Sequence, residues 1–294
     1  MSENKRKTAK TGLLAQNTNL FRCPLCSGSM QLLHLKSLIC ANNHCFDLSK
    51  HGYINMLTHP QHTKYDKMMF KSRRIVSKSG FFAPLDEKII EIIMDNSETA
   101  GALLTVLDAG CGEGSRLAGL QEKITRRFQR DFLGVGLDIS KDGIIIASKD
   151  YKNNIWCVGD LARAPFADRK FNIILNILSP ANYMEFRRMI TDDSIIIKVI
   201  PERCHLQELR AVFYQHTDKQ NYSNDDTLEL FKTNFKLKEI KRVHYKYALE
   251  HTGIEPLIRM TPLSWGTTEE RLQKAREMNL REVTVDLIIL VGGN

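Results

Sequence analysis

The fold of this 294-residue chain is decided by the stretch Val106-Leu-Asp-Ala-Gly-Cys-Gly-Glu-Gly114. An apolar run leads into it and a helical pattern begins at Ser115, so the stretch is the turn between a strand and a helix. Glycines at 110, 112 and 114 let the backbone pass close to a ligand without clashes from a Cβ atom. We therefore expect a ligand-binding loop at this turn.

On both sides of the turn, apolar strand-like runs alternate with amphipathic helical patterns. This alternation predicts an α/β fold with a parallel sheet and helices on both of its faces. Two long β-rich runs, at 235–247 and 283–291, predict the last strands, including an antiparallel pair. The other predicted strands are 103–109, 132–139, 155–158, 171–178 and 194–200. The predicted helices are 85–94, 115–128, 141–151, 182–190 and 205–214.

Acidic residues near the strand ends narrow the choice of ligand. Asp138 ends the second strand, where a carboxylate can accept both ribose hydroxyls of an adenosine. Asp160 ends the third strand, where the amino group of adenine would be recognised. Dinucleotide sites favour G-x-G-x-x-G around a pyrophosphate, whereas this loop reads G-x-G-x-G with Glu113 beside its mouth. Together with Asp108, the set resembles the S-adenosylmethionine site of Rossmann-like class I methyltransferases; an NAD-type site and a structural turn are the alternatives.

Composition bounds the remaining classes of function. A hydrophobic fraction of 43% and a charged fraction of 26% are ordinary for a globular chain with a substantial core. Because no run of eighteen apolar residues and no secretory signal occur, we expect no membrane span and a cytoplasmic location. The net charge of +8 suits a polyanionic partner such as nucleic acid.

A cluster of cysteines near the N-terminus predicts a metal site. Cys23-Pro-Leu-Cys26 is followed by Cys40 and His44, which is the arrangement of a closed tetrahedral zinc site. Cys45 could take the place of His44, and two reduced cysteine pairs in a small core are the alternative to metal. Zinc is favoured because about forty residues bury too little apolar area to fold alone. Four protein ligands leave no open position, so we expect one structural Zn²⁺.

These observations divide the chain into four parts. Residues 1–20 are basic and lack apolar periodicity, which predicts a flexible arm. Residues 21–60 are predicted to form the small zinc-binding domain, and residues 61–85 a polar, basic linker helix. Residues 86–294 form the Rossmann-like methyltransferase domain.

The cysteine-rich head, the linker and the glycine loop together resemble one family, the bacterial 23S ribosomal RNA guanine-N1 methyltransferases. This group includes tylosin-resistance enzymes of the same type. The stretches that carry the resemblance are 21–26, 40–44, 46–55, 179–183, 198–206 and 260–263, besides the glycine loop. The resemblance implies S-adenosylmethionine-dependent methylation of guanine N1 in a 23S rRNA hairpin, with a bearing on tylosin susceptibility and with RNA recognition by the zinc domain. A methyltransferase for tRNA or a small molecule, and an RNA-binding protein without catalysis, are the alternatives.

The resemblance also assigns individual residues. Cofactor contacts fall on Gly112 and Glu113, on His205 after the fifth strand, and on Phe82 of the linker. The family has a tyrosine at the last position, so only ring stacking is expected from Phe82. The alternatives are a surface helix-capping role for His205 and simple packing for Phe82.

The loop that ends the fourth strand, Ser179-Pro-Ala-Asn182-Tyr183, is where methyl acceptors bind in this fold. We expect Asn182 to hold a base edge and Tyr183 to stack on the base; Glu185 is the nearest candidate for a general base. A homodimer would double the basic surface offered to one RNA. Phosphate contacts are expected from basic residues near the cofactor mouth, namely Lys71, Arg73, Arg74, Arg163, Arg187 and Arg188.

Overall fold

The computed structural model describes residues 12–61, 64–97, 103–215, 217, 223–249 and 253–293. In that part of the chain, a three-stranded sheet forms the head and an eight-stranded sheet forms the body. The strands are β1 (Met30–Leu33), β2 (Ser37–Cys40), β3 (Cys45–Asp47), β4 (Ile54–Asn55), β5 (Leu104–Ala109), β6 (Phe132–Asp138), β7 (Ile155–Val158), β8 (Phe171–Ile177), β9 (Ile190–Pro201), β10 (Lys236–Ala248) and β11 (Glu282–Gly293). The helices are α1 (Lys67–Lys78), α2 (Ala83–Asp95), α3 (Ser115–Phe128), α4 (Lys141–Asp150), α5 (Tyr183–Met189), α6 (Gln207–Phe213), α7 (Asp225–Asn234), α8 (Ile254–Met260) and α9 (Glu269–Glu277).

The body sheet has the order β10-β11-β9-β8-β5-β6-β7-β4. The strands from β9 through β4 in this order pair in parallel, while β11 is antiparallel to both β9 and β10. The strand order therefore reverses between β5 and β8, and ligands of open α/β sheets bind at such a switch point. The predicted parallel sheet with a final antiparallel pair is confirmed.

The predicted strand bounds agree with the structure to within a few residues, but three helices of the body were not predicted. Helices α7 and α9 each bury a single residue, Phe231 and Ala275, so neither shows the apolar stripe that periodicity detects. Helix α8 has only seven residues. No helix among the described residues is long and apolar enough to cross a membrane.

The head is joined to the body by shared structure rather than by contact alone. Strand β4 pairs in parallel with β7, with Ile54 opposite Cys157, and so forms the edge of the body sheet. The buried Phe21 ring packs on Phe166 with centroids 5.4 Å apart. The buried side chains of the head and those on one face of the body sheet thus form one hydrophobic core.

The flexible arm predicted for residues 1–20 does not extend to residue 20. Leu14 and Leu20 are buried in the core that the head shares with the body. These two leucines are six residues apart among polar residues, so the sequence shows no helical period. Their burial nevertheless fixes this segment against the folded chain. The rest of the predicted arm, residues 1–11, lies outside the described residues.

The linker folds onto the body as helix α1 and the start of α2. The Asp66 side chain caps α1 by accepting a hydrogen bond of 2.7 Å from the Met69 N–H. At the other end of α1, the Tyr247 hydroxyl donates to Ser79 Oγ at 2.6 Å, and the Tyr245 hydroxyl donates to the Phe81 carbonyl. Strand β10 therefore holds the linker against the body.

Candidate active site and metal centre

A cavity of about 290 Å³ opens where the carboxyl ends of the central strands meet. The glycine loop after β5 forms one wall, the loop after β8 forms the opposite wall, and α1 with the segment Met260–Pro262 covers it. The predicted cofactor residues that line it are Phe82, Asp108, Gly110, Glu113, Asp138, Asp160 and His205. Gly112 lies between these residues in the glycine loop, and its N–H donates a hydrogen bond of 2.7 Å to Asp138 Oδ2.

Packing explains two of the three glycines in the loop. Gly110 and Gly114 have φ angles of +88° and +80°. A Cβ atom at Gly110 would lie 2.6 Å from Ser179 Cβ, and one at Gly114 would lie 2.5 Å from the Trp156 ring. Only glycine combines this backbone conformation with so close an approach of its neighbours.

Three carboxylates give the cavity an acidic interior. Asp108 and Glu113 are each 3% exposed, and Asp138 is partly exposed. Burial raises the pKa of Asp108 to about 7; the nearby charges of Asp138 and Glu113 act in the same direction, whereas Arg116 opposes them. Burial also raises the pKa of Glu113 and of Asp138. An acidic interior of this kind favours a ligand that carries positive charge.

The Phe82 ring is held as a wall of the cavity. The ring is 6% exposed and packs edge-on against Phe81, with centroids 4.7 Å apart. The Arg116 guanidinium lies 4.3 Å from the Phe82 centroid and is itself anchored, since its Nη1 donates to Asp86 at 2.6 Å. Phe82 can therefore offer its ring to a ligand without moving.

His205 contributes a neutral imidazole to the cavity. Its Nδ1 accepts a hydrogen bond of 3.3 Å from the Asp286 N–H, so the ring proton belongs on Nε2. Burial lowers the pKa of His205 to about 4, although the charge of Asp286 acts against this. At neutral pH the side chain is thus a hydrogen-bond donor rather than a cation or a surface helix cap.

Buried polar groups lock the acceptor loop after β8 to the glycine loop. The Ala109 carbonyl accepts from Asn176 Nδ2 at 2.9 Å and from Ser179 Oγ at 2.8 Å. Lys198 Nζ donates to Asn176 Oδ1 at 2.6 Å and to the Ser179 carbonyl at 3.3 Å. Burial lowers the pKa of Lys198 to about 8. Leu178, which lies between Asn176 and Ser179 in the chain, has a φ of +52°. This is a strained conformation of the kind that concentrates at functional sites.

Asn176 and Lys198 were absent from the residues predicted from sequence. The signal was present, because each is a single polar residue within an apolar run, at 173–177 for Asn176 and at 195–200 for Lys198. A polar side chain buried in that way needs hydrogen-bond partners. Here those partners are the two loops of the cavity.

The structure places Tyr183 away from the cavity, which corrects the stacking role predicted for it. The ring is 7% exposed and packs against Phe186, Phe231 and Phe235 with centroid distances of 6.1, 5.9 and 5.6 Å. Burial among these rings raises the pKa of Tyr183 to about 12. Asn182 caps helix α5, and its Oδ1 accepts from the Glu185 N–H at 3.1 Å.

Glu185 and several of the predicted phosphate-binding arginines are engaged in internal contacts. Glu185 accepts from the Ala164 N–H at 2.9 Å and from Arg188 at 2.7 Å, and Arg188 also pairs with Asp168 at 2.6 Å. Glu185 is therefore held in an ion pair and is not placed as a base. Arg74 pairs in the same way with Asp150 at 2.6 Å.

The metal ligands predicted from sequence converge in the head. The ligand atoms of Cys23, Cys26, Cys40 and His44 all lie within 4.8 Å of one another. His44 Nδ1 lies 3.4 Å from Cys23 Sγ and 3.5 Å from Cys40 Sγ, and Cys26 Sγ lies 3.6 Å from Cys40 Sγ. A tetrahedron with ordinary Zn–S and Zn–N bonds has edges of about 3.5–3.8 Å. Cys45 is exposed and lies outside the cluster, so the fourth member of the cluster is His44.

Comparisons with known proteins agree with this architecture. Residues 21–67 match the zinc-ribbon family described as "RlmA, N-terminal", and residues 106–191 match a methyltransferase domain. A Bacillus subtilis (strain 168) protein named "Putative 23S rRNA (guanine-N(1)-)-methyltransferase YxjB" is 42% identical over 276 residues, which cover 93% of this chain and 97% of the relative. The "23S rRNA (guanine(748)-N(1))-methyltransferase" of Streptomyces fradiae is 27% identical over 92% of this chain and 95% of its own.

The fold, the cavity and the Cys₃His cluster define an S-adenosylmethionine-dependent methyltransferase of the Rossmann-like class that carries one structural zinc ion. The 42% sequence identity with the Bacillus relative extends along almost the whole length of both chains and narrows the class further. The chain belongs to the 23S rRNA (guanine-N1)-methyltransferase family.

Proposed function

We propose that the protein methylates N1 of a guanine in a hairpin of 23S rRNA, with S-adenosylmethionine as methyl donor. The observation that carries this proposal is the match to the Bacillus relative, which spans the head, the linker and the body alike. The geometry supports it, because strand β4 of the head segment joins the sheet that carries the cofactor cavity, and the head shares a hydrophobic core with the body. One bound RNA could therefore touch the head while its target base enters the cavity mouth.

Residues of the cavity can each be assigned to a part of the cofactor. We assign the ribose hydroxyls to Asp138, the adenine amino group to Asp160 and the methionine ammonium to Glu113; the Phe82 ring gives a stacking wall. The His205 Nε2–H adds a donor at the same cavity. The bound cofactor supplies a methyl group activated by a sulfonium. The chain must align that methyl group with its acceptor and exclude water.

The acceptor side is the loop from Leu178 to Asn182. Because the Asn182 oxygen already caps α5, its NH₂ group is left to donate to a base edge, and guanine O6 is an acceptor of the right kind. Guanine N1 carries a proton at neutral pH that must leave before or during attack. We do not assign that proton to Glu185, because its carboxylate is held by Arg188. Tyr183 has no part in the proposal.

The decisive experiment compares N1-methylguanosine in 23S rRNA from a strain with the gene and a strain lacking it. We expect the modification to disappear from the deletion strain and to return when purified protein and S-adenosylmethionine act on its rRNA. Reverse transcriptase should stop at the modified position, because a methyl group on N1 blocks base pairing. The guanine named for the Streptomyces relative, position 748, and its neighbours in the hairpin are mapped first.

Each of the other outcomes would support a different function. Methylation of tRNA with unchanged 23S rRNA would replace the proposed substrate, and RNA binding without transfer would indicate a protein that has lost catalysis. Growth of the two strains in tylosin tests the further proposal that the modification alters susceptibility to this macrolide.

Cofactor affinity should depend on pH around neutrality. Burial raises the pKa of Asp108 to about 7, and a cationic sulfonium favours the ionised form, so binding releases a proton. Affinity is then highest above pH 7 and falls as the pH is lowered through 7, by up to about tenfold per unit. Calorimetry of S-adenosylmethionine binding between pH 5.5 and 8.5 measures this. Asp108→Asn should flatten the profile, and a wild-type affinity that is constant with pH would contradict the assignment.

A further inference from the structure

Arg73 is a cation of the cofactor cavity that neither the sequence motifs nor the comparisons assign to the cofactor. It lies on helix α1 of the linker and lines the cavity. Its Nη1 would lie 3.0 Å from a Cβ atom built on Gly112, so the guanidinium reaches the middle of the glycine loop. Its Cζ lies 5.6 Å from the centroid of the Phe70 ring.

The guanidinium of Arg73 is partly buried and has no close counterion. Burial lowers its pKa, while the charges of Asp138 and Glu113 favour its charged form from a distance. Within the described part of the chain, Arg73 makes no ion pair closer than 4 Å. Removing a charge even partly from water costs free energy unless the charge is paired, so this position favours an anion.

The other arginine of the cavity does not share this property. Arg116 pairs with Asp86 and lies over the Phe82 ring. Its charge is therefore already neutralised by the protein, and only Arg73 among these two has its guanidinium available.

We propose that Arg73 binds the carboxylate of the methionine moiety of S-adenosylmethionine. That moiety carries an ammonium and a carboxylate on the same carbon, and the cavity is lined by both the Glu113 carboxylate and the Arg73 guanidinium. The planar guanidinium matches a carboxylate with two parallel hydrogen bonds. This assignment concerns the cofactor and does not depend on which RNA is methylated. It takes Arg73 out of the group expected to contact phosphate.

The test separates the carboxylate from the rest of the cofactor. Binding of S-adenosylmethionine and of its decarboxylated form, which keeps the sulfonium, the ammonium and the adenosine, is measured by calorimetry on the full-length protein. We expect the wild-type protein to prefer the carboxylate-bearing ligand by about tenfold to a hundredfold, the usual effect of a charged hydrogen bond. Arg73→Gln should lose that preference and bind the decarboxylated ligand as the wild type does.

Matched variants give the controls. Lys78→Gln removes a positive charge from the exposed end of the same helix and should leave both affinities unchanged. Arg73→Lys keeps the charge but not the two-pronged geometry, so it should recover only part of the preference. Thermal unfolding without ligand shows whether each variant is folded.

Three results would overturn the assignment. Equal loss of both ligands in Arg73→Gln would mean that the residue shapes the cavity rather than binding the carboxylate. Unchanged binding of both ligands with weaker RNA binding would place a phosphate at Arg73. A wild-type protein that binds the two ligands equally would exclude a carboxylate contact even if no variant folds.

Discussion

Replacement of Cys26 by serine should abolish zinc binding, unfold the head and reduce rRNA methylation by at least about a hundredfold. Metal binding at closed sites of this type is worth ~10–16 kcal/mol, and in so small a domain most of that is folding free energy. The body has its own core around β5, β6 and β8, so S-adenosylmethionine should still bind. Metal analysis, calorimetry with S-adenosylmethionine and rRNA methylation by the same preparation measure the three effects.

Cys45→Ser is the matched control for this prediction. Cys45 is exposed and lies next to His44 in the chain but outside the Cys₃His cluster. The control protein should retain one equivalent of zinc and its rRNA activity. A Cys26→Ser protein that lacks zinc and methylates rRNA at the wild-type rate would show that the head is dispensable for substrate binding.

Asp138→Ala should weaken S-adenosylmethionine binding by at least about a hundredfold. Two contacts to ribose hydroxyls would be lost, each worth ~1.5–3 kcal/mol as a charged hydrogen bond. The carboxylate also accepts the N–H groups of Gly112 at 2.7 Å and Ser140 at 2.8 Å, so its removal would release the glycine loop as well. Calorimetry and thermal unfolding of the ligand-free protein separate the two contributions.

Asp142→Ala provides the comparison, because Asp142 is an exposed carboxylate in the first turn of α4, close to Asp138 in the chain. It should bind the cofactor as the wild type does. Unaltered affinity in Asp138→Ala would reject the placement of the ribose at this residue.

The residues that the sequence predicted for the cofactor meet at one cavity, because the features that bring them together are local. Spacing alone places Gly110 and Gly114 in one turn, and strand ends bring Asp138 and Asp160 to the same edge of the sheet. The Cys₃His cluster was predictable for the same reason, since a hairpin of known length brings its two halves together.

The rest of the site depends on contacts between distant segments. Tyr183 follows the acceptor loop directly, yet its ring faces a pocket formed by Phe231 and Phe235 from a part of the chain with no obvious link to it. Arg73 reaches Gly112 because helix α1 is packed on the body, and β10 contributes by holding its C-terminal end at Ser79. Neither arrangement leaves a periodic pattern in the sequence.

The two-residue strand β4 determines how this architecture can be recombined. Because Ile54 pairs with Cys157 and the Met56 N–H donates to the Val158 carbonyl at 2.8 Å, the outermost strand of the catalytic sheet is encoded with the head. A chimera joined before β4 keeps the native edge of the catalytic sheet but supplies the head with a foreign continuation. A chimera joined after Met56 exchanges the head together with that edge and requires its new residues to fit β7. Exchanging heads between relatives therefore attaches a new edge strand to the catalytic sheet. We expect the fit of that strand against β7 to decide which chimeras fold.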